Sequence, residues 1–209
     1  NQAGDNGIIL DMAANTLMDA AFVDQVESQL ARSDIVLAVL EIPVEAAARA
    51  MELGRRRGVR TLLNPAPAAP LDPTILQNVD ILTPNETELR NLHGLRPHDP
   101  TPTRQQAAQL QSRGVQTIVV TRGEQGALIL TDDQVIEAPG VKVEVVDTTG
   151  AGDAFNAALA VALAEGQSLE AAVRFANCAG ALACTKLGVI PALAFREEVE
   201  RLYMENSLC

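Results

Sequence analysis

The chain has 209 residues, with 16 Lys and Arg against 27 Asp and Glu for a formal charge of -11, and 47% of it is apolar. That length fits one large domain or two small ones with a real core, and the apolar fraction excludes a disordered polyelectrolyte. The acidity argues against general nucleic-acid binding and docking on an anionic membrane, and 2% aromatic residues leave little to stack bases or sugar rings on.

Taken in chain order, short β-rich runs alternate with longer helical patterns. Gly7 to Leu10 reads as a strand ending at Asp11. Asp19 to Arg32 reads as an amphipathic helix, with Phe22, Val23, Val26 and Leu30 at helical spacing. Asp34 to Leu40 is nearly continuous apolar sequence, as in a strand buried on both faces. Pro43 opens a helix that Gly58 stops, and Val59 to Leu63 is the next strand, ending in the proline loop Asn64-Pro65-Ala66-Pro67. Asp80 to Leu82 is a short strand, after which Pro84-Asn85-Glu86-Thr87-Glu88 opens a helix. A helix at Thr103 to Arg113 leads through Gly114 into the strand QTIVV. Gly126 to Thr131, Asp132-Asp133, and Gln134 to Glu137 predict an antiparallel hairpin. A last strand, Val141 to Val146, runs into Asp147-Thr148-Thr149-Gly150-Ala151-Gly152-Asp153. Helices follow at Ala151 to Ala164, Leu169 to Thr185 and Ala194 to Met204.

This alternation predicts a single α/β domain: three layers, a doubly wound and mainly parallel sheet, helices on both faces and right-handed crossovers. Ligands in such sheets bind at the carboxyl ends of the strands. Those ends here are Asp11, Glu41, Asn64, Pro84-Asn85, Thr121-Arg122-Gly123 and Asp147 to Asp153.

The other residue types say less. Cys178, Cys184 and Cys209 are an odd number in a chain this long, which fits a reducing cytoplasm better than a disulfide framework. Cys178 and Cys184 read as structural. His93 and His98 lie far from any Cys and read as solvated loop residues, and Arg55-Arg56-Arg57 as a solvated helix end. No apolar run approaches the ~18 residues that span a bilayer. The start is no signal peptide, and position 1 is not Met, so the chain is expected to begin inside something longer.

The segment from Asp147 to Phe155 is the most informative. A strand stops, two glycines permit a tight turn, and a helix begins. Free amides and the helix dipole make an anion site at such a start. Asp153 in the first turn is poorly suited to hold phosphate and well suited to take a proton from an attacking hydroxyl. An ordinary Asp-bearing helix start after a glycine turn is the plain alternative. A dinucleotide loop would need a third Gly where Phe155 stands, and no Gly-Lys-Ser/Thr of a P-loop occurs. Asn85 and Glu88 have the spacing of a capping box, which explains both without a ligand.

DTTGAGDAF at 147–155 resembles the second signature of the ribokinase-like (PfkB) sugar kinases. NPAPA at 64–68, TPNETE at 83–88, TRGEQG at 121–126 and KLGVIPA at 186–192 stand in that family's order. The resemblance implies ATP-dependent phosphorylation of a sugar hydroxyl, D-ribose to ribose 5-phosphate first. Fructose, a nucleoside or a keto-deoxy sugar acid are the other acceptors. It makes Asp153 the catalytic base and the Gly150, Ala151 and Gly152 amides an anion hole. Asn85 and Glu88 would organise Mg²⁺ and phosphates through water. Thr121, Arg122, Gly123, Glu124, Gln125 and Gly126 would form the nucleotide loop, with Asn177 on the adenine side. Glu41 would touch the sugar. A K⁺ site would draw on Asp147, Thr149, Ala183, Lys186, Gly188 and Ala192, mostly through carbonyls; Ala192 departs from a frequent Ser. The partners implied are the sugar and ATP, with the full-length protein a homodimer. The sugar-gripping Asp, a Gly-Gly loop with an Asn, and a β lid would all precede Asn1. The chain thus resembles the C-terminal two-thirds of such a kinase, N-terminal strands and lid absent. A non-catalytic nucleotide-binding fragment is the competing reading.

Overall fold

The computed structural model describes residues 11–207. The expected strand at Gly7 to Leu10 lies outside these residues, as does Cys209. After a 3-10 turn at Ala13–Leu17 come α1 (Ala20–Gln25) and α2 (Glu27–Leu30). These replace the single expected helix. Val26 leaves helical backbone at φ -101° and ψ 8°, breaking it in two. Asp19 caps α1 by accepting from the Phe22 amide, and only Val23 on α1 is buried; Phe22, expected on the inner face, is exposed.

The βα units follow in order: β1 (Ile35–Val39), α3 (Val44–Arg57), β2 (Arg60–Asn64), α4 (Pro73–Leu76), β3 (Ile81–Leu82), α5 (Glu86–Leu92), α6 (Thr103–Gln111) and β4 (Thr117–Thr121). Gly58 ends α3 in the left-handed conformation that glycine adopts at low cost. The sequence reading missed α4, although Asp72 caps it and Pro73 stands in its first turn. The hairpin is as expected: β5 (Ala127–Leu130) and β6 (Val135–Ala138), antiparallel. Then come α7 (Ala151–Ala164), α8 (Leu169–Ala183), the short α9 (Val189–Ala192) and α10 (Arg196–Ser207).

The strands lie side by side in sequence order, β1 to β6. The joints β1–β2, β2–β3 and β3–β4 are parallel; the last two are antiparallel. Because side chains alternate across a strand, neighbouring residues feed opposite cores. Leu63, Leu82, Ile118, Val120, Leu128 and Leu130 pack with α3 to α6 on one face. Leu62, Ile81, Val119, Ala127 and Ile129 pack under α7, α8 and α10 on the other. The three parallel crossovers run in one direction and so put their helices on one face. The C-terminal helices cover the second face, completing the expected three layers.

Two strand expectations are corrected. Val141 to Val146 pairs with no strand among the described residues, and Val145 and Val146 are 60% and 56% exposed. Its alternation suits a ladder, but it is held by Val141 packing on the core at one end and at the other by the Val146 and Asp147 amides, which donate to the Cys184 carbonyl. β1 is not buried on both faces: Val36 and Ala38 are buried on one, while Leu37 on the other is 39% exposed, β1 being an edge strand among the described residues.

Smaller differences concern charged groups. Arg55 pairs with Asp80 and Arg57 with Glu27, so the arginine run is more than a solvated helix end. His93 is half-buried with Nε2 2.8 Å from the Gln106 carbonyl oxygen, not a free loop residue. Cys178 is buried, and burial pushes its thiol up to about 11, as suits a structural cysteine. No helix among the described residues is long and apolar enough to cross a membrane.

Candidate active site

The carboxyl ends of β2, β3 and β4 and the start of α7 meet at one edge of the sheet. Gly150 is the N-cap of α7, at φ 81° and ψ 0°. Its backbone requires glycine twice over: the φ is left-handed, and a Cβ there would stand 2.8 Å from Cγ1 of Val189. Gly150 offers no side-chain cap. The opening amides of a helix have no acceptor within it. That of Ala151 reaches the Thr148 carbonyl at 3.3 Å; among the described residues those of Gly152 and Asp153 have no partner. Gly152 is exposed, and a Cβ added to it would meet nothing within 4 Å. The free amides and the helix dipole at this exposed turn favour an anion. The Asp153 carboxylate stands in the same turn, exposed, with no hydrogen bond or ion pair among the described residues.

The turn before this helix is braced by Asp147. Oδ1 accepts from the Thr149 amide and hydroxyl at 3.0 and 2.7 Å, and Oδ2 from the Gly188 amide at 3.0 Å. The Thr149 hydroxyl first, then the two amides, hold the carboxyl below the usual aspartate range. Asp147, Thr149, Gly188 and, through the end of α8, Ala183 are thus gathered at one corner. Lys186 is exposed; Ala192 is buried and brings no hydroxyl. Among the described residues no three His, Cys, Asp or Glu side chains gather for a metal. A cation at this corner would be held by backbone carbonyls.

Asn85 and Glu88 form the capping box of α5. Asn85 Oδ1 accepts from the Glu88 amide, and Glu88 Oε2 from the Asn85 amide, both at 2.8 Å. Burial pushes the Glu88 carboxyl above the ordinary glutamate range, and its bonds to Asn85 pull it back. A half-buried carboxylate at this edge suits a hard cation or its water shell.

The nucleotide-loop segment touches this motif directly: the Thr121 amide donates to the Pro84 carbonyl at 3.0 Å, and Asn85 bridges Thr121 in parallel register. Gly123 to Gln125 make one 3-10 turn. A Cβ on Gly126 would collide with the Ala138 carbonyl, and one on Gly140 with that of Glu124, so the loop lies flat against the end of β6. Gly140 carried no signal in the sequence. Arg122 pairs with Glu137, while its Nε is buried without a partner, an orphan donor beside a loop expected to meet phosphates. Glu124 and Gln125 are exposed. Asn177 is buried, its Nδ2 donating to the Pro139 carbonyl at 3.0 Å and more weakly to that of Ala138. It ties α8 to this loop.

Glu41 follows β1 at the same edge, exposed. The edge also holds groups the sequence reading did not single out: Thr83 and Asn156, both buried and bonded to each other. A cavity of about 740 Å³ lies elsewhere, at the amino ends of the strands between Arg60, Asp80 and Gln116. Its ion pair is already made, and it holds none of the open amides of α7.

Residues 1–195 match the pfkB family of carbohydrate kinases. The chain is 34% identical over 197 residues to a ribokinase of Haemophilus influenzae, covering 94% of this chain and 64% of that one. It is 38% identical over 199 residues to a ribokinase of Bacillus subtilis, covering 95% and 65%. The structure of Arabidopsis thaliana ribokinase complexed with ribose and ATP superposes with a TM-score of 0.87 at 33% identity, covering 96% of this chain and 65% of that one. The chain spans just under two thirds of the length of these relatives.

Proposed function

The chain belongs to the pfkB family of carbohydrate kinases, and from that premise we propose that the protein transfers the γ-phosphoryl group of ATP to a sugar hydroxyl, D-ribose to ribose 5-phosphate. One observation carries the reading: an uncapped helix start whose free amides share a turn with an unpartnered carboxylate, at the carboxyl ends of the strands.

Asp153 accepts the proton of the attacking hydroxyl as the new O–P bond forms and the bond from phosphorus to the β-phosphate oxygen breaks, leaving ADP. The Gly150, Ala151 and Gly152 amides receive the charge of the transferring group without a basic patch, which reconciles phosphate chemistry with a chain of only two lysines. Thr121 to Gly126 and Asn177 hold the nucleotide, and Glu41 the sugar. Asn85 and Glu88 fit Mg²⁺ through water; the ion supplies neutralisation of phosphate charge. The carbonyls near Asp147, Thr149, Ala183, Lys186, Gly188 and Ala192 fit K⁺. The full-length protein acts in the cytoplasm as a homodimer, an assembly that sedimentation checks.

The test is ADP release on adding ribose, with 2-deoxyribose and fructose as competing acceptors, on this chain and on the full-length protein. Asp153→Asn should lower kcat by about 10²- to 10⁴-fold with ATP binding retained. Parental turnover in that variant overturns the assignment of the base. A chain that binds ATP and turns over no acceptor supports the fragment reading instead.

A further inference from the structure

Three buried polar side chains run from the sheet into the first turn of α7. Asn64, Thr83 and Asn156 are 6%, 1% and 3% exposed. Asn64 Nδ2 donates to the Thr83 carbonyl at 2.8 Å. The Thr83 hydroxyl donates to Asn156 Oδ1 at 2.6 Å, across 73 residues of sequence. It has one proton, and the Leu63 carbonyl at 3.4 Å is the poorer acceptor. Asn156 Nδ2 then donates to the Gly152 carbonyl at 2.9 Å. That carbonyl already lies in the ladder of α7, so the helix would close without the extra bond.

The ends of this relay make it more than a satisfied polar core. Thr83 stands two residues before the Asn85 cap, on the segment whose Pro84 carbonyl takes the Thr121 amide. Gly152 is the glycine of the open helix start. The Thr83–Asn156 bond is therefore a direct side-chain link between the segment that carries the Asn85–Glu88 box and the start of α7. Its low-dielectric surroundings make it stiff.

We infer that Asn156, held by Thr83, is a positioning residue that fixes the anion-hole turn and Asp153 against the Asn85–Glu88 motif. The inference rests on the proposed kinase reading. Small displacements of reacting groups cost rate steeply, so loosening this link lowers kcat while ATP still binds.

The test separates positioning from packing. Thr83→Val leaves Asn156 Oδ1 buried and unpaired, so it should lower both Tm and kcat. Thr83→Ser keeps the hydroxyl and should stay within about two-fold of the parent in kcat. Thr83→Val with Asn156→Leu removes both partners, so Tm should recover while kcat stays about ten-fold down and KM for ATP moves less than about two-fold. Affinity for ADP with aluminium fluoride and ribose should fall with kcat, while ATP affinity holds. A double variant with parental kcat and parental ADP–aluminium fluoride affinity overturns the inference. If the double variant does not fold, Thr83→Val against Thr83→Ser decides, since equal kcat in the two overturns it as well. Asp153→Asn reports on the kinase reading independently: its parental turnover sinks the base, whereas its loss beside an unaffected double variant sinks only the positioning role.

Discussion

Two helix starts lie at the same edge of the sheet, and they are built oppositely. At α5, Asn85 and Glu88 satisfy each other's amides, so the helix end is closed by its own side chains. At α7, Gly150 provides no cap, the Gly152 and Asp153 amides are open, and the Asp153 carboxylate has no partner among the described residues. A good N-cap is worth about 1 kcal/mol over a residue that cannot cap. The second helix forgoes much of that and holds its position by long-range bonds, from Asp147 to Gly188 and from Asn156 to Thr83. The two starts differ in what they leave open: backbone amides at α7, and at α5 a helix end already closed by its own side chains.

The contrast can be broken most sharply at Gly152. Gly152→Ala adds a methyl beside the free amides of the helix start, and kcat should fall by about 10²-fold, the size of losing a hole donor. Tm should hold or rise, since Ala exceeds Gly in a helix by up to about 1 kcal/mol. A fall in both would mean the glycine serves the fold and not the site.

At α5 the sign reverses. Asn85→Ala should cost about 1 kcal/mol and lower Tm by roughly 2–4 °C. Glu88→Gln can still accept from the Asn85 amide and removes a desolvated charge, so its Tm should match or exceed the parent while the Mg²⁺ concentration for half-maximal rate rises. Urea denaturation and Mg²⁺ titration of the two variants separate cap from cation ligand; loss of stability without a Mg²⁺ effect in Glu88→Gln leaves the cap alone.

The smallest effects are in pH. The folded pKa of Asp147 is depressed, so its stabilising contribution is present above about pH 4, the ordinary aspartate value, and is lost as pH falls through the folded value. The difference in stability between the parent and Asp147→Asn should therefore shrink on acidification below pH 4. Glu88 is raised, so its contribution is full below its ordinary value and is lost as pH rises through the folded one. Denaturation midpoints from pH 3 to 7 test both signs, and a parent–variant gap at position 147 that widens on acidification would contradict the first.

Much of this was legible in the residues. Gly58 stops α3 and Asp132-Asp133 turns the hairpin because glycine conformation and turn chemistry are local. The glycine turn at 150–152 and the Asn85–Glu88 box could be read for the same reason. Val141 to Val146 misled because alternation states a preference for a ladder but not whether a partner strand lies alongside. The break at Val26 has no glycine or proline to announce it. Asn156 was hidden in a run of Ala, Phe and Leu, since its partner Thr83 is brought near only by the packing of α7 on the sheet. Gly140 likewise matters only because Glu124 folds back onto it.

The two faces of the sheet differ in when they can be covered during synthesis. Helices α3 to α6 lie between the strands they protect, so that layer can close as each unit leaves the ribosome. The opposite face, with Leu62, Ile81, Val119 and Ile129, waits for α7 and α8. A nascent chain that has finished β6 but not α8 shows the six described strands with one apolar side bare. At about 5–20 residues per second that interval lasts seconds, and it is the stage at which a chaperone has most to hold.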